Sequence, residues 1–200
     1  MADVPPGVAP AVAALRAGGC VVLPTDTVYG VAVRAERPGA AAVLAGLKGR
    51  PAEQALAVLV SDAEQALRWC AGVTPEVRRL VDRCWPGPLT LVVRRSPAAA
   101  HLDLGGDPAT IGVRCPDSGV VQAIAREVGP LATTSANRHG APTPSAAAQA
   151  AAALLGPVDV VVDGGPLHGE ASTVVDCTRP AWRMLRQGTL TFDDLVQASA

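Results

Sequence analysis

Residues 20–33, with the sequence CVVLPTDTVYGVAV, decide the fold of this chain. Two apolar runs of strand length, at residues 20–23 and 28–33, lie on either side of a short polar turn. Continuous runs of this kind are typical of strands that are buried in an α/β protein. We therefore expect a covered sheet with the turn at residues 25–27 at its edge.

Helical and strand patterns alternate along the rest of the sequence. Further strands are predicted at residues 56–60, 89–93, 110–114, 131–134, 158–162, 172–176 and 182–185. Helices are predicted at residues 9–16, 38–47, 74–84 and 120–128, with others after a Ser61–Glu64 capping box and after a Thr143-Pro144 cap. This alternation predicts an α/β fold: a single domain, residues 1–200, built on an open, twisted, mixed sheet flanked by helices.

Composition limits the classes of function. Of the 200 residues 49% are hydrophobic and only 2% aromatic, so valine, leucine and alanine must fill the core. The formal net charge of -1 gives no general attraction to nucleic acids, which are bound mainly through their phosphates. Five cysteines without a CxxC pair indicate buried thiols in a reducing compartment. No leader pattern and no run of about 18 apolar residues occur, which predicts a soluble, cytoplasmic protein without a membrane partner.

Common phosphate-binding and nucleophile motifs are absent from the sequence. It has no G-x-x-x-x-G-K-[ST] loop, no G-x-G-x-x-G that opens a helix and no G-x-S-x-G. His101, His139 and His168 lack metal-site spacing, and we interpret them as exposed loop residues. A bound nucleotide would have to be held by cationic side chains and hydroxyl groups.

Several polar side chains follow predicted strands and helices. They are residues 25–27, Lys48, Arg50, Arg114, Ser135 and Asn137. Ligands of open α/β sheets bind in the crevice at the carboxyl ends of strands, so these loops could form one site. Each residue taken alone is also consistent with an ordinary turn or a solvated surface.

Six sequence blocks resemble, in order, the successive motifs of the YrdC/TsaC family. The blocks are LPTDTVYG (23–30), LKGRP (47–51), WPGPLT (85–90), IGVRCP (111–116), TSAN (134–137) and STVVD (172–176). One block would be weak support, but six in the same order make the resemblance specific over a motif-bearing core at residues 9–188. The resemblance implies a YrdC/RibB-like fold and a short form without the C-terminal domain of longer synthases.

The activity that the resemblance implies is that of an L-threonylcarbamoyladenylate synthase, a nucleotidyltransferase. Such an enzyme uses L-threonine, bicarbonate and ATP to begin the threonylcarbamoyladenosine modification of tRNA. Magnesium (Mg²⁺) is expected to arrive with ATP, and no protein metal site is expected. The product would pass to separate tRNA threonylcarbamoyl-transfer proteins, and a weak contact with tRNA is a further expectation.

The resemblance also implies a role for individual residues. The expected ATP contacts are Lys48, Arg50, Thr110, Ser135, Asn137, Thr143 and Arg186. The expected threonine contacts are Thr27, Arg114, Thr133 and Ser172. Lys48 and Arg50 would carry catalysis by neutralising charge on the triphosphate, and Arg114 would pair with the threonine carboxylate through its guanidinium fork. Asp26 is expected to cap its turn rather than to bind magnesium.

Some positions depart from the usual family pattern. Ala55 stands where proline is common, Leu59 where histidine is common, and Gln54 replaces a residue that is often Asn or Lys. The usual Asn-x-Ser-Gly is Asn137-Arg138-His139-Gly140 here, which adds charge. The sequence leaves open how Ala55 and Leu59 affect the site.

Two other functions stay open at the level of sequence. The family fold resembles RNA-binding surfaces, so a non-catalytic module could hold tRNA or double-stranded RNA on a concave basic face. That face would consist of Arg34, Lys48, Arg50, Arg114 and Arg138. The other is carbamoyl transfer of the hydrogenase-maturation type, but such proteins carry acylphosphatase and zinc-finger modules that 200 residues cannot supply.

Overall fold

A ten-stranded mixed sheet forms the centre of the molecule. The structure is a computed structural model and describes residues 5–200. The strands are β1 (Val21–Pro24), β2 (Tyr29–Arg34), β3 (Ala57–Leu59), β4 (Cys70–Ala71), β5 (Leu89–Arg95), β6 (Thr110–Arg114), β7 (Leu131–Ser135), β8 (Val160–Val161), β9 (Thr173–Asp176) and β10 (Arg183–Arg186). Their order across the sheet is β10-β9-β5-β6-β3-β7-β2-β1-β8, with β4 paired to β5 outside this path. The pairs β1/β8, β3/β6 and β5/β9 are parallel and the others antiparallel, which confirms the predicted mixed sheet.

Helices cover the sheet on two sides. Among the described residues the α-helices are α1 (Val8–Arg16), α2 (Ala40–Lys48), α3 (Ala63–Leu67), α4 (Pro75–Cys84), α5 (Gly119–Val128), α6 (Ala147–Ala152) and α7 (Phe192–Ser199). Leu15 of α1 and Ile124 of α5 belong to one hydrophobic cluster, whereas Leu44 of α2 and Leu80 of α4 belong to a larger second one.

Strand β1 is apolar at successive positions because both of its faces are covered. Val21 and Leu23 belong to the smaller cluster and Val22 to the larger one, and all three are fully buried. Because successive side chains of a strand point to opposite faces, a sheet that is covered on both sides needs apolar residues at every position. The interpretation of residues 20–33 as two buried strands around a turn is therefore confirmed.

Two local predictions at helix starts are wrong. The N-cap of α3 is Asp62, whose carboxylate accepts from the Gln65 N–H at 2.7 Å, while the Ser61 hydroxyl only donates to that carboxylate. A carboxylate is a stronger acceptor than a hydroxyl, and Asp62 takes the capping position. Helix α6 begins at Ala147 without a side-chain cap, so Thr143 does not cap it.

Helix α7 was not anticipated from the sequence, although its signal is present. Thr191 and Asp194 form a capping box in which each side chain accepts from the other's backbone N–H. This Thr-x-x-Asp spacing is a recognisable start signal.

The cysteine and histidine side chains differ in their exposure. All five cysteines are free thiols, of which three are buried and two half-buried: Cys20, Cys115 and Cys177, then Cys70 and Cys84. The three histidines are exposed, as expected. Across residues 5–200, no helix combines the length and the apolar character that a membrane span requires.

The strand register brings the polar strand ends together. Gly30 of β2 lies opposite Ser135 of β7, and Leu59 of β3 lies beside Arg114 of β6. Residues that are far apart in sequence therefore lie close together at the ends of neighbouring strands.

Candidate functional site

A cavity of about 350 Å³ lies where these strand ends meet. Lys48 and Asn137 stand just behind its wall, hydrogen-bonded to Ser135. The fold thus gathers all eleven predicted contact residues in one place, and nine of them line the cavity. These nine are Thr27, Arg50, Thr110, Arg114, Thr133, Ser135, Thr143, Ser172 and Arg186.

The turn between β1 and β2 is closed by Thr25. Its hydroxyl accepts from the backbone N–H groups of Thr27 and Val28, both at 3.1 Å, and donates to the Val28 carbonyl at 2.7 Å. The expectation that Asp26 caps this turn is wrong because Thr25 does so. Asp26 instead pairs with Arg114 at 2.5 Å between Oδ1 and Nη2, and the two side chains are 14% and 6% exposed.

Arg114 is held from three sides. Nε donates to the Gly87 carbonyl at 3.0 Å, Nη1 to the Thr27 hydroxyl at 3.0 Å, and Nη2 to Asp26. A guanidinium has five N–H groups, so two remain without a described protein partner. Burial lowers the pKa of Arg114, while the neighbouring Asp26 carboxylate raises it. A fixed guanidinium with two unused N–H groups is well suited to receive a carboxylate.

Lys48 braces the turn that follows β7. Its Nζ donates to the carbonyls of Ser135 and Asn137, the latter at 2.8 Å, and to Asn137 Oδ1 at 2.6 Å. The residue is 4% exposed. Burial lowers the pKa of Lys48 to about 8, and Arg50 acts in the same direction. Since these contacts use the three ammonium protons, Lys48 holds Ser135 and Asn137 in place, and its direct contact with ATP stays a prediction.

Arg50 is the cation whose hydrogen bonds are least complete. Nη1 lies 3.4 Å from the Thr134 hydroxyl and Nη2 lies 3.4 Å from the Gln54 carbonyl. Its Nε is buried without any hydrogen-bond partner among residues 5–200. Burial lowers the pKa of Arg50. Buried donors without partners are uncommon and cost about 1–3 kcal/mol. The two terminal nitrogens, which make only long contacts, are the groups that an anionic ligand in the cavity would bond.

A hydroxyl pair and Arg186 form another part of the wall. Arg186 donates to the Ser172 carbonyl from Nε at 3.1 Å and from Nη2 at 2.8 Å, and to the Ser172 hydroxyl at 3.2 Å. The Ser172 hydroxyl lies 2.9 Å from that of Thr90. Burial lowers the pKa of Arg186. Ser172 is thereby fixed at the start of β9, facing the cavity.

Sequence reasoning missed several residues of the wall. Thr90 lies in the WPGPLT block, so its motif was a signal that could have found it. Arg95 and Asp107 carried no such signal. Arg95 donates to the Thr110 carbonyl at 2.6 Å and to the Leu102 carbonyl at 2.8 Å, which fixes it near one end of the cavity.

The departures at Ala55 and Leu59 bear directly on the site. Both residues line the cavity, where they contribute apolar surface. The replacement of two usual family residues therefore changes the wall itself and not a remote surface.

The cavity is positively charged although the whole chain is not. Asp107 is the only carboxylate among its described lining residues, and the four lining cations are Arg50, Arg95, Arg114 and Arg186. Within residues 5–200, no three or more His, Cys, Asp or Glu side chains are grouped to hold a metal ion. Such a pocket attracts anions and offers hydroxyl groups to orient them.

The basic face considered for RNA binding is not formed as expected. Lys48 and Arg114 are 4% and 5% exposed, and Arg34 pairs with Glu36 at 2.9 Å. Most of the predicted positive charge is therefore turned into the cavity or neutralised, and little of it is left for a nucleic-acid surface.

A second groove, of about 650 Å³, lies between α1, α2 and the loop before β8. Half of its described lining residues are alanine or glycine, and it contains none of the predicted site residues. The Asp159 carboxylate on its wall already accepts the Cys20 N–H at 2.8 Å. The smaller cavity, not the larger groove, therefore carries the candidate chemistry.

The family model and the similar sequences point to one family. The Sua5/YciO/YrdC family model, described as telomere recombination, matches residues 13–188. A Mycobacterium tuberculosis relative is 38% identical over 192 residues, covering 96% of this chain and 88% of the relative. A Bacillus subtilis relative named threonylcarbamoyl-AMP synthase is 37% identical over 193 residues, covering 95% of this chain and 56% of the relative.

Solved structures with a similar fold are also known. A Pyrococcus abyssi Sua5 structure, described as complexed with L-threonine, has a TM-score of 0.88 and 32% identity, covering 96% of this chain and 56% of that chain. Escherichia coli YciO has a TM-score of 0.80 at 24% identity, covering 94% of this chain and 92% of that chain, and shows the fold alone. The chain thus spans little more than half the length of the Bacillus and Pyrococcus proteins.

Proposed function

The chain belongs to the Sua5/YciO/YrdC family, and on that premise we propose that it is a threonylcarbamoyl-AMP synthase. Its substrates would be L-threonine, bicarbonate and ATP, and its products threonylcarbamoyl-AMP and pyrophosphate. The Bacillus relative carries this enzyme name, and the Pyrococcus structure holds L-threonine, which supports the amino-acid substrate.

The incomplete bonding of Arg50 is the observation that carries the proposal furthest, because both of its terminal nitrogens make only 3.4 Å contacts. Among the described lining residues, Arg50 shares the cavity with three other arginines and one carboxylate, so the acceptor that these nitrogens lack is best supplied by an anion. A triphosphate would provide that acceptor and would also reach Arg186 and the hydroxyl groups of Ser135 and Thr143.

The proposed reaction is a nucleotidyl transfer in two steps. The threonine amine first attacks bicarbonate, which gives a carbamate and releases water. A carbamate oxygen then attacks the α-phosphorus of ATP, and the bond from that phosphorus to the bridging oxygen breaks to release pyrophosphate. Neither step needs a protein nucleophile. Positioning and charge stabilisation can therefore supply most of the rate, as expected for a pocket of arginines and hydroxyl groups.

The residues around Arg114 would bind the amino acid. Its two unused N–H groups fit a carboxylate, and Thr27, Thr133 and Ser172 offer hydroxyl groups within the same cavity. Ala55 and Leu59 add apolar wall, against which the threonine methyl group could pack. Such a contact favours threonine over serine by about 1–3 kcal/mol.

Magnesium would enter as part of the nucleotide substrate. The only carboxylate on the described cavity wall is Asp107, and Asp26 is already paired with Arg114. These residues do not form a protein metal cage. The triphosphate and water would supply most of the magnesium ligands.

The partners of the reaction follow from its product. Threonylcarbamoyl-AMP is an activated acyl donor, and transfer of its threonylcarbamoyl group to tRNA would require further proteins. We propose that this chain works in the cytoplasm with that machinery, and that its own contact with tRNA is weak because Lys48 and Arg114 are buried.

The proposal is tested by incubating the protein with ATP labelled at the α-phosphate, L-threonine, bicarbonate and magnesium. We expect pyrophosphate and labelled threonylcarbamoyl-AMP, a mixed anhydride, and the formation of both should require threonine. Pyrophosphate release that does not depend on threonine would contradict the proposal. Binding of RNA at moderate salt without any product would favour the non-catalytic RNA-binding alternative.

A further inference from the structure

The hydroxyl group of Thr27 lies between Thr25 and Arg114. Thr25 donates its single hydroxyl proton to the Val28 carbonyl at 2.7 Å and accepts the backbone N–H groups of Thr27 and Val28, both at 3.1 Å. These contacts use the proton and both lone pairs of Thr25 Oγ1, so the 2.9 Å contact between the two hydroxyls does not bind the Thr27 proton.

Arg114 fixes the other side of the same oxygen. Its Nη1 donates to Thr27 Oγ1 at 3.0 Å, which occupies one of the two hydroxyl lone pairs. The Thr27 proton and the other lone pair stay available to a ligand. Thr27 can therefore donate to an oxygen of L-threonine or receive one of its N–H or O–H groups.

Asp26 sets the position of Arg114 that this arrangement needs. Its Oδ1 lies 2.5 Å from Nη2, while the opposite side of the guanidinium is held by the Gly87 carbonyl at 3.0 Å from Nε. Asp26 is not among the residues that line the cavity. It therefore acts on a bound ligand only through Arg114.

We propose that Asp26 is a positioning residue for amino-acid recognition, which rests on the proposed function. Asp26 holds Arg114 so that Nη1 contacts the Thr27 hydroxyl and two N–H groups are left for the carboxylate of L-threonine. One carboxylate thereby sets the positions of both Arg114 and Thr27 relative to the amino acid.

The test compares binding of L-threonine and of ATP to Asp26→Ala by isothermal titration calorimetry. We expect the threonine Kd to rise roughly tenfold to a hundredfold, because a charge-assisted network loses its anchor. The ATP Kd should change by less than about twofold, since Asp26 touches no predicted ATP contact. Asp26→Asn, which keeps an acceptor oxygen, should recover part of the threonine affinity.

Glu127→Ala is the matched control because it also removes a carboxylate that pairs with an arginine, Arg16, but on the exposed surface. It should leave both affinities unchanged. Equal losses of threonine and ATP affinity in Asp26→Ala would indicate a merely structural role and would overturn the proposal. Unchanged threonine affinity would overturn it as well.

A second variant keeps the proposal testable if Asp26→Ala does not fold. Thr27→Val keeps the shape and replaces the hydroxyl with a methyl group, so it should weaken threonine binding and spare ATP. Undiminished threonine binding would overturn the role of the Arg114–Thr27 pair in amino-acid recognition. If the unaltered protein binds no L-threonine at all, the proposed function fails. A failure confined to the variants removes only the positioning role.

Discussion

The cations in and near the cavity differ in how many of their N–H groups are already hydrogen-bonded to the protein, although the sequence presents them as one group. Lys48 is saturated with protein acceptors, and Arg114 is partly used by Asp26, Thr27 and Gly87. Among residues 5–200, Arg50 has only long contacts, and its Nε has no partner. Hydrogen-bond saturation therefore distinguishes residues that build the site from those that await a ligand.

Arg50→Ala should weaken ATP binding by roughly tenfold or more, because a charged donor to the triphosphate is lost. L-Threonine binding should change little. Arg50→Lys should recover only part of the affinity, since an ammonium lacks the planar fork. Calorimetric titration with ATP checks this, with the exposed Arg16→Ala as a control. Equal ATP affinity in Arg50→Ala and the unaltered protein would contradict the assignment.

Lys48 should make stability depend on pH in the alkaline range. Burial lowers its pKa from 10.5 to about 8. Between these values the unfolded chain binds a proton that the folded chain has released, so this group's contribution to the free energy of unfolding increases as pH rises. The slope is at most about 1.4 kcal/mol per pH unit.

Urea unfolding of the unaltered protein and of Lys48→Met, from about pH 7 to about pH 10, measures this contribution. The difference between the two free energies should be flat below about pH 8 and then shift in favour of the unaltered protein. Parallel profiles throughout would show that Lys48 keeps an ordinary pKa in the folded state.

At the scale of elements, the loop between α4 and β5 supports Arg114. The Gly87 carbonyl accepts from Arg114 Nε at 3.0 Å, and the Gly87 N–H donates to the Cys115 carbonyl at 2.8 Å. A Cβ atom at Gly87 would lie 2.5 Å from the Cys84 carbonyl oxygen, so no side chain fits there. The loop is a rigid support for the end of β6.

Gly87→Ala should therefore lower the free energy of unfolding by about 1–3 kcal/mol, because backbone atoms must move to admit the methyl group. It should also weaken threonine binding through Arg114. Gly119→Ala is the matched control, since a Cβ there meets nothing within 4 Å at the start of α5. This control should be neutral or slightly stabilising. Urea unfolding of both variants checks the difference, and equal stabilities would contradict the packing argument.

At the scale of the whole molecule, the cavity is assembled from segments that are distant in sequence. Asp26 and Arg114 are 88 positions apart, and Thr90 and Ser172 are 82 apart. A ligand that bridges these segments binds only the folded chain. Its binding energy therefore adds to global stability.

L-Threonine and ATP with magnesium should each raise the unfolding temperature, with about 2.7 kcal/mol of added stability at a hundredfold excess over Kd. Thermal unfolding followed by circular dichroism measures the shift. D-Threonine should give a smaller shift because its groups cannot meet the fixed donors and acceptors together. Equal shifts for both enantiomers would contradict an oriented amino-acid site.

The sequence by itself determined the α/β class. Strands that are buried on both faces must be apolar at every position, and the helices that cover them must alternate with them along the chain. It also determined which polar residues belong together, through blocks such as residues 23–30 and 134–137 that stand at strand ends. Only the tertiary structure decided that Asp26 pairs with Arg114, that Lys48 lies behind the wall and that Arg95 lines the cavity. The physical reason is that a local pattern reports burial and backbone conformation. The partner of a charged side chain depends on the register between strands that are distant along the chain.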